Sequence, residues 1–351
     1  MVKDFINSQF YPLLAIESSC DETAAAVLDN GRCISNVVAS QIPKHRPYGG
    51  VVPEIASREH MKAILPVVQE SLTLANISTK EIKSLAVTQG PGLVGSLVVG
   101  FNFAKALSFS LNIPCVGVDH IHGHILSIFL EKQSPPFPYI ALVVSGGHTS
   151  LYLVKSFLEA KLLGKTRDDA AGEAFDKGAK ILGLSYPGGP QISRLGEKGD
   201  PNAFKLPRAW LHDSPLEFSF SGLKTAFLHL VKELENTGNV PIEDLCASFE
   251  LAICEVLVEK TIKAALQFNC QHIVICGGVA ANKRLRKLMK ERATKKNIKI
   301  YLPDIKFCTD NAAMIGICGI HLLEHGKRLK IDEDVYSTSH GPRVFETLGG
   351  K

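Results

Sequence analysis

One pattern occurs twice in this chain, and it limits the fold more than any other feature. An apolar run at 12–16 breaks at Glu17, Ser18, Ser19, Cys20, Asp21, Glu22 and Thr23, then resumes at 24–28. The same order returns at 139–154: an apolar run at 140–144, then Ser145, Gly146, Gly147, His148, Thr149 and Ser150, then a second run at 151–154. Thr149 minus Thr23 is 126 residues, the size of a domain. Strand, small polar turn, threonine, strand reads as a hairpin whose tip exposes backbone N–H groups and hydroxyls, where phosphate can be held. With 351 residues the chain is long enough for two domains with cores of their own.

A third turn of this kind follows a strand at 273–276: Gly277, Gly278, Val279, Ala280 and Ala281 lead into a helix at 282–296, and such glycines let a ligand approach the backbone. Between the two hairpins, periodicity predicts a helix over 54–76 with Ile55, Met61, Ile64, Leu65, Val68 and Leu72 apolar, and His60 structural or at the surface. A strand at 85–88, a Gly90-Pro91-Gly92 turn and a helix at 93–111 come next. Pro135, Pro136 and Pro138 mark 133–138 as a linker, with the second domain starting near 139. That domain holds acidic Asp168, Asp169, Glu173 and Asp176, a rigid Pro187-Gly188-Gly189-Pro190 turn, and helices at 223–235 and 244–268.

His120 and His124 stand four apart after the apolar run 115–118, so on a helix they share one face and could grip one metal ion. A zinc peptidase would carry Glu directly after its first histidine, and that place holds Ile121. Chance spacing remains the alternative. Asp310 is placed either to cap the helix that follows or to complete a two-histidine, one-carboxylate set, which suits iron(II) and also zinc. Asp176, read from sequence alone, belongs to a solvated charged face. The stretch 283–299 carries nine basic residues and one acidic, which fits a solvated lysine-rich face or RNA contact equally. A net charge of +4 allows a nucleic-acid partner without requiring one. Nine scattered cysteines with no Cys-x-x-Cys pair suit buried thiols in a reducing cytosol, and no signal peptide or membrane span is expected.

With these residues in view, the chain resembles tRNA N6-adenosine threonylcarbamoyltransferases of the bacterial TsaD family, formerly labelled glycoproteases. The likeness runs through ten blocks in order: 17–23, 48–60, 90–95, 120–124, 143–149, 168–177, 186–190, 218–225, 277–282 and 307–314. It implies an α/β, two-domain, actin-like, Hsp70-like and sugar-kinase-like (ASKHA) fold with a duplicated core and a ligand cleft, divided as 1–134 plus 319–351 and 135–318. It also implies that His120, His124 and Asp310 bind one divalent metal, iron(II) before zinc. Val143, Val144, Ser145, Gly146, Gly147, Asp176, Gly189 and Asn282 fall on the family's ligand-binding positions, Asp176 against a ribose hydroxyl. Many relatives have His where this chain has Asp119, and a bulkier residue than His122, which should point away from the pair. The stretch 202–212 and the tail after Asp332 match loosely and carry no function over.

The reaction so implied moves a threonylcarbamoyl group from L-threonylcarbamoyladenylate to N6 of the adenosine beside the anticodon, releasing AMP. An activated donor and a poor nucleophile need alignment, oxyanion stabilisation and a base. Asp21, supported by Glu22, is assigned as that base because the first hairpin tip should face the cleft opposite Ser145–Gly147. Implied partners are tRNA, a TsaB-like paralogue and a TsaE-like ATPase docking on the first domain, with no membrane. Two rival readings are an ATP-driven kinase-like switch, which the fold alone allows, and a metallopeptidase.

Overall fold

The computed structural model describes residues 8–211 and 213–337. The first residues with Lys3 and Asp4, His212 of the loosely matching stretch, and the tail beyond 337 lie outside the described residues. The chain divides into two compact units, one made of Met1–Ser134, Phe157–Glu159 and Pro303–Lys351, the other of Pro135–Ser156 and Ala160–Leu302.

In the first unit β1 (Leu13–Glu17), β2 (Glu22–Asp29) and β3 (Arg32–Ser40) form an antiparallel meander. β1 then pairs in parallel with β4 (Ser84–Gly90), and β4 in parallel with β5 (Cys115–Asp119), giving the order β3-β2-β1-β4-β5. A short α1 (Ile42–His45) leads to α2 (Pro53–Ala75), which Pro53 opens where its missing N–H is harmless and Asn76 closes in the left-handed conformation, φ 54°. α2 buries Ile64, Val68 and Leu72 against Leu14, Ile16 and Val27 of the sheet, each contributing about 1.5–3 kcal/mol. Met61 and Leu65, expected on the same apolar stripe, are exposed instead, because the sheet covers only one side of the helix. α3 (Val94–Leu111) is, among the described residues, the one helix long and apolar enough to cross a membrane; here it packs against α2 and β4, burying Leu97, Phe101 and Ala104. α4 (His120–Leu126) follows β5 directly.

The second unit repeats this plan strand for strand. β6 (Tyr139–Val144), β7 (Thr149–Val154) and β8 (Ala160–Lys165) make the meander. α5 (Ala171–Ile181), α6 (Gly188–Gly196), α7 (Ser221–Thr237) and α8 (Ile242–Gln267) follow, with a core in which Phe249 meets Phe175 and Phe227. β9 (His272–Cys276) pairs in parallel with β6, and after α9 (Lys283–Thr294) β10 (Lys299–Tyr301) pairs in parallel with β9. The order β10-β9-β6-β7-β8 is that of the first sheet read from its other edge.

The chain re-enters the first unit at Pro303, ahead of the expected 319, because α10 (Ile305–Cys308) and α11 (Ala312–Glu324) belong to that unit and α11 packs on β1, β2, β4 and β5. Successive side chains of a strand point to opposite faces, so β1 gives Leu14 and Ile16 to the α2–α3 side and Ala15 to α11.

α11 also carries a titratable group that opposes acid. His321 is buried, stacked on Phe157 with ring centroids 3.6 Å apart. Burial first, and then the facing His122 and His325, push its pKa down to about 3. Below about pH 6.5 the unfolded chain takes up a proton that the folded ring refuses, so stability falls with pH by about 1.4 kcal/mol per unit towards the folded value. Urea unfolding between pH 6.5 and 4.5 should therefore show a steeper loss for wild type than for His321→Leu; parallel profiles would clear His321 of the effect.

Candidate functional site

Two structural facts put His120 and His124 on one face. β5 ends at Asp119, whose carboxylate accepts the His122 N–H at 3.0 Å and so starts a helix at His120. One helical turn later comes His124, with ring centroids 4.7 Å from those of His120. Asp310, just before α11, is freed from capping because Asn311 takes that part, its side chain accepting from Met314 N–H at 3.0 Å. Asp310 instead reaches His124 Nε2 at 3.0 Å and His120 Nε2 at 3.5 Å. The three ligand atoms all lie within 4.8 Å of one another.

This cluster fits a metal ion. Donors about 2.0–2.2 Å from a tetrahedral ion stand roughly 3.4 Å apart, close to the spacings seen here. His124 Nδ1 is buried without a hydrogen-bond partner, the kind of orphan group a ligand field can orient. Burial opposes charge on Asp310, yet His120 and then His124 hold it well below the ordinary carboxylate range. Burial likewise favours neutral His120, but Asp310 and Glu17 raise its pKa well above the usual value. A cation at the cluster would replace those protons.

Glu17 has no role in the sequence reading, and the structure supplies one. At the buried end of β1 it places Oε2 3.0 Å from His120 Nδ1, so that Nε2 is the nitrogen facing Asp310. Thr88 Oγ1 donates to Glu17 Oε2 at 2.6 Å, and Ser19 N–H donates to Oε1. A carboxylate at the end of an otherwise apolar strand was the available signal. His122 stays outside the cluster: it is buried, bonded to the Phe157 backbone, and pushed down to about 4 by burial.

Asp21 and Glu22 sit where the first turn runs into β2, with Glu22 in electrostatic reach of Asp310. Burial, then Asp21 and Asp310, push Glu22 up to about 10, so it keeps its proton at neutral pH and shares it with Asp21. Behind them, His60 is buried rather than at the surface, bonded to Thr23 Oγ1 at 2.7 Å and to the Cys20 carbonyl at 3.0 Å. It buttresses the turn.

The second unit gathers its turns around the start of α5. Val143 and Val144 are buried in β6, and the turn after them is closed by Ser145 N–H to His148 O at 2.8 Å. Ser145 O accepts the Gly172 N–H at 3.1 Å, while Gly146 and Gly147 stand in open space. Asp176 Oδ1 accepts the Gly188 N–H at 2.7 Å, which seats the neighbouring Gly189. Gly277, at φ +92°, passes so close to β6 that a Cβ would lie 2.3 Å from Val144 O. Asn282 is drawn inward: its Oδ1 caps α9 at Leu285 N–H, 2.9 Å, and its Nδ2 donates to buried Glu250 at 2.7 Å.

The sequence matches the TsaD family, described as tRNA N6-adenosine threonylcarbamoyltransferase, over residues 32–317. A protein of that name from Anaeromyxobacter dehalogenans (strain 2CP-C) is 52% identical over 318 residues, which is 90% of this chain and 95% of that one. Its namesake in Syntrophus aciditrophicus (strain SB) is 54% identical over 317 residues, 90% of this chain and 93% of that one. Among solved structures, T. kodakarensis HypF is similar with a TM-score of 0.63 at 16% identity over 90% of this chain, though this chain spans only 48% of its length. That likeness concerns the fold alone, an α/β arrangement with two five-stranded sheets. With the family matched across most of its length and relatives more than half identical, the chain belongs to the TsaD family of tRNA N6-adenosine threonylcarbamoyltransferases.

Proposed function

We propose that this protein transfers the threonylcarbamoyl group of L-threonylcarbamoyladenylate to N6 of the adenosine beside the anticodon, in tRNAs that read codons starting with A. The observation that carries the reading is the buried His120, His124 and Asp310 cluster in a chain of this family. N6 attacks the carbamoyl carbon, the bond from that carbon to the phosphate oxygen breaks, and AMP leaves with its electron pair. Asp21 takes the N6 proton, its carboxylate oriented by the hydrogen bond from Glu22. In the second unit, the Ser145, Gly146 and Gly147 turn, backed by Val143 and Val144, binds the adenylate together with Asp176 and Gly189. Asn282, held by its bond to Glu250, contributes to the same ligand site. One cation per chain, iron(II) with zinc as the alternative, is held by His120, His124 and Asp310, and when bound would polarise an oxygen of the donor.

Transfer of labelled threonine from the adenylate to unmodified tRNA tests the reading, with a TsaB-like paralogue and a TsaE-like ATPase supplied. Label on the anticodon-adjacent adenosine is the expected result; none with metal-loaded protein would overturn it. We assign the docking of these helpers to the first unit, a reading supported by Met61 and Leu65, exposed one turn apart on α2. Nine free thiols suit a reducing cytoplasm.

Two narrower outcomes follow. Asp21→Ala should slow single-turnover transfer by about 10²–10⁴-fold, and an unchanged rate would remove Asp21 as the base. On α9, Lys283, Arg284 and Arg292 pair with Glu197, Glu250 and Glu259, while Lys287 and Lys290 are exposed. Reversing the charge of those two should weaken tRNA binding and lower its salt dependence by about one unit of slope per lost phosphate contact. Unchanged affinity would move the tRNA elsewhere.

A further inference from the structure

The tail that leaves α11 is tied along the end of the first unit's sheet. Leu329 N–H donates to Cys115 O at 2.8 Å, and Lys105 Nζ donates to Ile331 O at 2.7 Å and Glu333 O at 3.0 Å. Gln89 Nε2 donates to Asp334 O at 2.8 Å, and the Tyr336 N–H returns to Gln89 O at 3.1 Å. Val335 packs on the apolar cluster under α2 and α3. Tyr336 crosses Gly90 so closely that a Cβ there would lie 2.2 Å from its carbonyl oxygen, and Gly90 has φ +155°. The tail is thus held by five backbone or side-chain bonds before its last described side chains are considered.

The Tyr336 hydroxyl donates to Asp119 Oδ2 at 2.7 Å. Asp119 is buried, and its other oxygen, Oδ1, is the cap that starts α4. The next residue is His120. A helix of seven residues has little stability of its own, so its packing on α11 and what clamps its ends together decide the direction of its side chains. Both oxygens of the carboxylate at the N-terminal end are accounted for, one by the helix and one by the tail. Without the hydroxyl, one buried carboxylate oxygen loses its donor, and burial makes that loss costly to the cap.

We infer that Tyr336 is a positioning residue: through Asp119 it sets the start of α4 and so the aim of His120 and His124. The inference rests on the metal reading of the cluster for its second readout but not for its first. The first is amide exchange in metal-free protein, at His122 and at position 336. In Tyr336→Phe the His122 amide should lose protection about tenfold while the amide at position 336 stays protected by Gln89 O, showing a docked tail without its hydroxyl. The second is release of bound iron(II) or zinc to a chelator, expected about tenfold faster in Tyr336→Phe, at the low end for loss of an outer partner. Asp119→Asn, which keeps the cap oxygen and offers the tyrosine a donor, should stay near wild type in both. Wild-type exchange at His122 in Tyr336→Phe would overturn the inference. So would loss of protection at both amides, which would mean that docking of the tail, and not the hydroxyl, holds the helix. If wild type binds no metal, the metal reading fails while the exchange result still judges the clamp.

Discussion

Changing His124 to alanine is expected to abolish both tight metal binding and transfer of the threonylcarbamoyl group, while leaving the fold of the first unit in place. His124 has no side-chain exposure, and its Nε2 is the ligand atom nearest Asp310, at 3.0 Å. Removing it leaves one imidazole and one carboxylate, too few donors to hold a cation against water. The loss in affinity should exceed the ~10–100-fold that follows loss of an outer hydrogen-bond partner. Asp310→Ala, at a partly exposed position, gives the same answer with less disturbance of packing. Metal content after dialysis, circular dichroism and label transfer are the measurements. A folded His124→Ala protein that keeps its metal and its activity would remove the cluster from the mechanism.

Glu17→Gln should lower metal affinity by about 10–100-fold with little change in the fold. The carboxylate fixes which nitrogen of His120 faces Asp310, and its charge raises the basicity of the ring. Glutamine keeps the shape and one acceptor but removes that charge. It also offers only one oxygen for the donors at Ser19, Thr88 and His120. Glu17→Ala goes further: it would leave the buried Ser19 N–H and Thr88 hydroxyl without their acceptor, at about 1–3 kcal/mol of stability. Chelator competition on the glutamine variant separates the two effects. An affinity equal to that of wild type would show that His120 needs no carboxylate behind it.

Much of this could be read before any coordinates. The hairpin repeat announced two related units because apolar runs broken by small polar residues at the same spacing have few other folded forms. The third strand of each meander, β3 and β8, escaped the reading. Both are edge strands interrupted by exposed residues such as Arg32, Ile34, Lys161 and Leu162, so neither forms a continuous apolar run. Asp310 was legible as a candidate, but its neighbour Asn311 could cap the helix equally well, and only the structure shows which does.

What the sequence determined by itself was local: strand, turn and helix order, and the two histidines on one helical face, which follow from periodicity and capping over a few residues. Tertiary structure alone decided everything that depends on partners distant in the chain. It brought Glu17 behind His120, Asp310 in front, and Tyr336 onto Asp119, across separations of 103, 190 and 217 residues. It also turned His60 inward and α2's Met61 and Leu65 outward. Residue type and spacing specify what a side chain can bond, but which carboxylate meets which imidazole is settled only when the sheet and α11 are packed together.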